Sequence, residues 1–217
     1  MRWALDAWFE AAILNAHIRD LDEREAPAAA ALLSAAFDDE PVFLATLADP
    51  ADRYECLSAL FLADVRNACR YGGAHALETP DSGLIGIAYW TTQPEPDRSD
   101  AEMAELGFTE VFTRWADQLN PIGEVEGRSL GLLKYLISPW RYLASIGIQP
   151  QHQGQGYGTE LLRHVIADSQ AAGESLALST DRAINVKLYE RVGFTVVHHE
   201  EHTELGLPFW TMLHSTV

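Results

Sequence analysis

Residues 146–158 read Ile-Gly-Ile-Gln-Pro-Gln-His-Gln-Gly-Gln-Gly-Tyr-Gly. The apolar run from Tyr142 to Ile148 has strand length and is closed by Pro150, and beyond the glycines Leu161, Leu162, Val165 and Ile166 recur at helical spacing. The stretch is therefore a strand, a glycine-rich turn and the start of an amphipathic helix. The first amides of a helix lack intrahelical acceptors, and glycines let a ligand approach them closely, so this turn is a candidate cradle for a diphosphate. No Gly-Lys-Ser/Thr follows, which excludes a Walker loop. Gly154, Gly156 and Gly158 repeat every second residue, and Thr159 stands where a dinucleotide fingerprint needs its third glycine, so that reading fails too.

Working outward, the chain continues as helix 159–172, strand Ser175–Ser179, helix Ile184–Val192, strand Phe194–His198, a polar loop and a last strand, Phe209–Leu213. Upstream lie a strand at His17–Leu21 and a helix with Pro27 in its first turn and Leu32, Leu33, Ala36 and Phe37 as its buried stripe. A longer helix follows from about Arg53 to Tyr71, then a hairpin turning at Pro80-Asp81-Ser82-Gly83. Ser99 and Glu102 have capping-box spacing and open a helix that carries Phe108, Val111, Phe112, Trp115 and Leu119 to a stop at Asn120-Pro121; Glu124 and Glu126 then fall in a loop. Helices interleaved with strands predict an α/β (α+β) layered fold on one mixed sheet. Residues 3–14 place Trp3, Ala4, Ala7, Trp8, Ala11 and Leu14 on one face, so residues 1–16 are expected to be an amphipathic helical extension to a single domain at 17–217. Its Trp-rich face either packs on its own domain or serves a partner or a homodimer.

Composition narrows the function classes. The 217 residues are 47% hydrophobic, enough for one globular core, and carry 32 acidic against 15 basic side chains. Only two of the basic residues are lysines, which argues against a nucleic-acid partner, since phosphates are neutralised by clustered Lys and Arg. The imbalance is local: residues 141–193 hold five basic and five acidic side chains, so the formal charge of −17 falls entirely on the remainder. Cys56 and Cys69 have neither metal nor disulfide spacing and are expected to be reduced core thiols of a cytoplasmic protein. No apolar run reaches the roughly 18 residues of a membrane helix, and Asp6 and Glu10 interrupt the N-terminal stretch that a signal peptide would need, so no membrane association is expected.

The spacing Gln153-x-x-Gly156-x-Gly158 after a strand resembles the coenzyme A signature of the GNAT superfamily of acyl-CoA-dependent N-acyltransferases. Asn185-Val-Lys-Leu-Tyr189-Glu-Arg-Val-Gly193-Phe194, about thirty residues on, resembles the superfamily's second block, an Asn four residues before a Tyr on a helix that Gly-Phe ends. The resemblance covers residues 140–217, extends more loosely over 17–92, and leaves 94–138 outside. It implies a single mixed, mostly antiparallel β-sheet with a splayed central strand and helices on both faces. It further implies acetyl-CoA as cosubstrate, no metal, and a small-molecule amine as acceptor. On this reading the backbone of Ile146, Gly147 and Ile148 pairs with pantetheine like an added strand. Amides of Gln153, Gly154, Gln155, Gly156, Tyr157, Gly158 and Thr159 hold the pyrophosphate, Asn185 bonds the pantetheine arm, and Tyr189 donates a proton to the leaving thiolate. Helix positions four apart share a face, so Asn185 and Tyr189 can reach one linear ligand. The hairpin ending Ile87-Ala-Tyr-Trp90 and the terminal Phe209-Trp-Thr-Met212 look like the puromycin-type antibiotic acetyltransferase branch.

The strand Tyr142–Ile148 contains no carboxylate, so a general base must come from elsewhere; Glu124, Glu126 and the cluster Asp38-Asp39-Glu40 are the candidates by chain position. Phe37, Asp38, Tyr89, Trp90 and Trp140 are expected to line an aromatic acceptor pocket with an acidic rim, suited to a cationic amine. His199-Glu-Glu-His202 is one residue short of the zincin order and is expected to be polar loop. The competing reading is a CoA-binding module without turnover that serves a protein partner.

Overall fold

The computed structural model describes residues 16–136 and 139–216. Among these, seven strands form one sheet: β1 (His17–Asp20), β2 (Gly72–Thr79), β3 (Gly83–Gln93), β4 (Trp140–Ile148), β5 (Ser175–Thr180), β6 (Thr195–His202) and β7 (Leu207–His214), in the spatial order β1-β2-β3-β4-β5-β7-β6. Every neighbouring pair is antiparallel except β4 and β5, giving the mixed, mostly antiparallel sheet that the sequence implies. The helices are α1 (Ala26–Phe37), α2 (Pro41–Thr46), α3 (Pro50–Tyr71), α4 (Asp100–Leu106), α5 (Phe108–Leu136), α6 (Tyr157–Ala171) and α7 (Ala183–Arg191). The amphipathic helix expected at residues 3–14 lies outside the described residues. No described helix is long and apolar enough to cross a membrane.

Alternation along the strands divides the apolar side chains between the two faces of the sheet. Ala74, Ala76, Ile87 and Tyr89 pack with Leu33, Leu57, Phe61 and Val65 of α1 and α3. Leu77, Ile85, Ala88, Trp90 and Ile148 pack on the opposite side with Leu161, Leu162 and Val165 of α6. Helices thus cover both faces. Local chemistry fixes where they start: Asp49 accepts from the amides of Ala51 and Asp52 and caps α3, which begins at Pro50, three residues before the expected Arg53, and Ser99 with Glu102 forms the expected capping box on α4.

Two expectations are corrected. The helix expected from Ser99 to Leu119 is two helices: Gly107, at φ 107°, ends α4, and α5 runs through Asn120-Pro121 to Leu136. Proline removes one donor and crowds the carbonyl four residues back, and the chain accommodates it just upstream, where Trp115 leaves helical geometry (φ −126°, ψ 22°) and kinks the rod. Glu124 and Glu126 therefore sit on a helix and not in a loop. The polar loop expected at His199–His202 is the second half of β6, paired with β7 as far as His202 opposite Leu207. An edge strand is largely exposed and tolerates a polar sequence, and His199 stacks on Trp210 with ring centroids 4.9 Å apart.

One glycine sets the spacing between α1 and the middle of the sheet. A Cβ at Gly147 would lie 2.9 Å from Leu33 Cδ2 and 3.2 Å from both Ala36 Cβ and Phe37 Cε2. Gly147→Val is expected to push α1 off β4 and destabilise the protein by about 1–3 kcal/mol, read from urea midpoints. An unchanged midpoint would mean that the helix has room to move.

Candidate active site

The ladder between β4 and β5 is short. Trp140 pairs with Ser175, Arg141 with Leu176 and Tyr142 with Ala177, and there it stops. On its other edge β4 stays bonded to β3 as far as Ile148 opposite Gly86. A register shift between Tyr89 and Trp90 leaves Ala144 as an extra residue on β4, a bulge just where the strands part. The splayed central strand expected from the sequence is thus β4. Gln149 N donates to Ile85 O at 2.8 Å, so by the two-residue alternation of an antiparallel ladder the polar groups of Ile146 and Ile148 project into the opening, whereas Gly147, expected to pair with pantetheine as well, turns its own towards β3. The Ile148 carbonyl accepts from Gln153 Nε2 at 3.0 Å. The side chain that opens the glycine motif thereby ties the turn to the end of the strand.

The turn follows as a short 3-10 segment, Pro150–His152, and then Gly154 (φ 72°) and Gly156 (φ 90°), both in the left-handed region that favours glycine. Gly156 is the N-cap of α6, and the first amide to find a helical acceptor is Glu160 N, on Gly156 O at 3.1 Å. The amides of Tyr157, Gly158 and Thr159 precede it and are left for a ligand. No lysine or arginine occurs between Gln149 and Glu160, so the turn itself offers an anion backbone dipoles and no ammonium or guanidinium.

Across the opening, α7 presents Asn185 and Tyr189 to a cavity of about 480 Å³. Asn185 Nδ2 lies 3.4 Å from Thr180 Oγ1, and Asn185 does not cap the helix; the N-cap is Arg182, which has no capping side-chain bond. Tyr189 is buried, and burial together with the Glu40 charge raises its phenol well above the ordinary value, so the proton stays on. At the rim Arg182 donates to Glu40 Oε2 at 2.6 Å and to Asp39 O at 2.6 Å, and the Val42 amide donates to Asp181 Oδ2 at 2.9 Å. These bonds join the start of α2 to the start of α7 across the mouth.

The cavity walls are aromatic, with Phe37, Phe43, Phe61, Tyr89, Phe108 and Tyr142 among them. Its polar lining is acidic: five carboxylates, Glu40, Asp64, Glu95, Glu126 and Asp181, against one guanidinium, Arg98. Arg98 is paired with Glu95 at 2.9 Å. Asp64 accepts from Tyr89 Oη at 3.0 Å. Enclosure in protein, and next the charge of Glu126, pushes Asp64 up to about 7. Glu126 is exposed and lines the same cavity; the protein around it, and next the charge of Glu95, push it up to about 7 as well. Burial, with Asp181 nearby, pushes Glu40 to about 6.

Of the residues expected around the acceptor, Phe37 and Tyr89 line the cavity and the others do not. Trp90 is next to Tyr89 on a strand and so points to the other face, where it packs against His75 with ring centroids 4.8 Å apart. Trp140 packs with Leu133 and Leu213. Asp38 is held by Arg53 at 3.0 Å, and Glu124 points to Arg128 on the surface of α5. Asp64, Asn67 and Glu95 are cavity residues that the sequence reading missed. A signal existed for Asp64: it lies three after Phe61, four after Leu60 and four before Ala68, an acid on the apolar stripe of its helix. Among the described residues His75, His164 and Asp168 bring ligand-type atoms within 4.8 Å of one another, and a 2.7 Å hydrogen bond between His75 Nε2 and Asp168 Oδ2 makes this a tie between β2 and α6.

The sequence profile of the acetyltransferase (GNAT) family matches residues 84–194. Solved structures give the same fold. Arylalkylamine N-acetyltransferase 2 from Aedes aegypti superposes with a TM-score of 0.65 at 12% identity, covering 94% of this chain and 100% of that one. Drosophila melanogaster polyamine N-acetyltransferase, which catalyses the formation of N-acetylagmatine, gives 0.61 at 14% identity over 91% and 98% of the chains. An acetyltransferase from Corynebacterium glutamicum, described together with histone acetyltransferase HPA2, gives 0.64 at 19% over 94% and 97%.

The raised carboxylates predict a pH signature. Asp64 and Glu126 bind protons in the folded protein up to about pH 7, whereas in the unfolded chain they release them at their ordinary values near 4. The folded state therefore binds more protons over that window, and stability falls as the pH rises through it. We expect Tm to drop between pH 5.5 and pH 8, and the double variant Asp64→Asn, Glu126→Gln to lose most of that slope. A Tm that rises over the same interval would contradict the assignment.

Proposed function

The chain belongs to the GNAT acetyltransferase family, and from that premise we propose that this acetyl-transferring enzyme moves an acetyl group from acetyl-CoA directly to a primary amine of a small cationic molecule. The observation that carries the reading is the loss of β4–β5 pairing after Tyr142, which leaves strand edges open immediately before a glycine turn with free helix amides. Such an edge suits a linear ligand that binds as an added strand, and the turn suits its diphosphate.

Acetyl-CoA supplies the activated thioester. The outward amides of Ile146 and Ile148 are the donors placed to hold the developing oxyanion. The turn amides from Gly154 to Thr159, with Gln153 bracing the strand end, hold the pyrophosphate, and Asn185 bonds the pantetheine arm. Tyr189 keeps its proton while the thioester is intact, because enclosure raises its phenol above the ordinary value, and the same enclosure raises a thiolate leaving beside it. It therefore acts as the donor to the departing sulfur, of a hydrogen bond and then of the proton. Glu126, pushed to about 7, is the base that takes the proton of the attacking ammonium. We take transfer to be direct, in a ternary complex, and the cysteines are consistent with that: Cys56 and Cys69 lie on α3, do not line the cavity, and burial pushes their thiols to about 12 and about 11. Aromatic walls and uncompensated carboxylates support the cationic acceptor, and two structural neighbours are themselves named for amine acceptors.

The test is release of free thiol from acetyl-CoA across a panel of polyamines, aminoglycosides, aromatic amines and peptide N-termini. Turnover with at least one amine is expected. CoA binding without any amine-dependent thiol release would turn the protein into a binding module. Tyr189→Phe is expected to lower kcat by about 10²-fold with little change in CoA affinity, and an unchanged kcat would remove the phenol from the mechanism. Glu126→Gln is expected to abolish the limb of kcat/KM that rises through pH 7. Gly156→Val, at φ 90°, is expected to abolish CoA binding; retained micromolar affinity would overturn the diphosphate site.

A further inference from the structure

The cavity holds more unpaired carboxylate than a single ammonium would engage. Of its five carboxylates, Glu95 is paired with Arg98, Glu40 is bonded by Arg182, and Asp181 accepts the Val42 amide. Asp64 and Glu126 have no cationic partner among the described residues; the one hydrogen bond to Asp64 comes from the neutral Tyr89 hydroxyl. One of the two can take the proton of the attacking amine, and a monoamine then offers nothing to the other. A third acceptor is also waiting. Asn67 lines the cavity, is only 5% exposed, and its side-chain oxygen is buried with no donor. It sits three residues after Asp64 on α3, so the two side chains share one face of that helix. A buried amide oxygen without a donor is costly, and a carboxylate one turn away asks for positive charge as well as N–H groups.

We propose that Asp64 and Asn67 form a second cation subsite, and that the acceptor is a dication, a diamine or amino-guanidine, with one amine acetylated and its far ammonium or guanidinium held by these two residues. The chemistry rests on the acetyl-transfer reading; the binding does not. The aromatic walls between the two ends fit the methylene spacer of such a molecule and the face of a cation.

Steady-state kinetics with 1,4-diaminobutane and agmatine against n-butylamine test the subsite. One charge-assisted contact set predicts kcat/KM higher for the dications by about 10- to 100-fold, with the ratio shrinking as salt is raised. Asp64→Asn, which keeps an acceptor for the Tyr89 hydroxyl, and Asn67→Leu are each expected to collapse that ratio by about tenfold or more, a readout that a general loss of folding would not select. Equal kcat/KM for butylamine and diaminobutane, or a ratio that survives both variants, overturns the subsite while leaving acetyl transfer intact. If no amine is acetylated, calorimetry of 1,4-diaminobutane with the full chain decides separately. Heat that disappears in Asp64→Asn supports the subsite although the transferase reading has failed, and no heat with the unaltered protein ends the proposal.

Discussion

Three paired positions hold β4 to β5, and their ending at Tyr142 is the constraint on which the site depends. Backbone amides and carbonyls seek partners wherever they are enclosed, so two strands that part inside a covered sheet leave groups that water or a ligand has to satisfy. The sheet survives because β4 keeps its whole ladder with β3, and because the bulge at Ala144 adds twist locally and spares the rest of the register. Every other piece of the site is referred to this opening. Gln153 caps the Ile148 carbonyl, the glycine turn follows within a few residues, and α7 brings Asn185 and Tyr189 to the far side.

The same opening explains why carboxylates persist in an apolar surround. Enclosed charge is expensive unless paired, and Asp64 and Glu126 respond by holding protons up to about pH 7. At the rim the situation is reversed: Arg182 and Arg98 are present and claim Glu40 and Glu95. Cations therefore organise the mouth and one wall, and the acids that stay unpaired face the ligand space. Groups poised near neutrality by enclosure are what proton-transfer chemistry uses, and the geometric setting beside an open strand edge gives them something to act on.

Much of this was legible in the chain itself, and the failures have physical causes. The strand–glycine turn–helix stretch was readable because apolar periodicity switches from strand to helix across left-handed glycines, and both Gly154 and Gly156 adopt positive φ. The hairpin at Gly83 and the capping box at Ser99 were fixed by local chemistry and appear where expected. Proline misled: Pro121 reads as a stop, but a kink at Trp115 lets α5 continue, and with it Glu126 moves from an assumed loop to a cavity wall. Tyr89 and Trp90 looked equivalent as candidate pocket residues, yet neighbours on a strand must face opposite ways, and only the register decides which one sees the cavity. Asp64 and Asn67 needed α1, α3 and the sheet to be assembled before their meaning was visible, because each is polar on a stripe whose other members are core.

Part of the net charge of −17 acquires a location in the same way, since five of the 32 acidic side chains line the cavity. A turn that binds an anion through lysines, placed beside a cavity with five carboxylates, would be drawn into ion pairs with them and both sites would be spent on each other. Between Gln149 and Glu160 the chain carries no such lysine or arginine, and what it offers an anion is a set of backbone dipoles fixed by two left-handed glycines and the start of α6. Fixed dipoles cannot swing towards neighbouring acids, and their pull fades within the first turn of the helix. The field of the carboxylates reaches further and draws cations. On the proposed reading, an anionic cosubstrate held by backbone dipoles at the turn and a cationic acceptor drawn by the carboxylates would not compete, because each meets groups of the opposite sign.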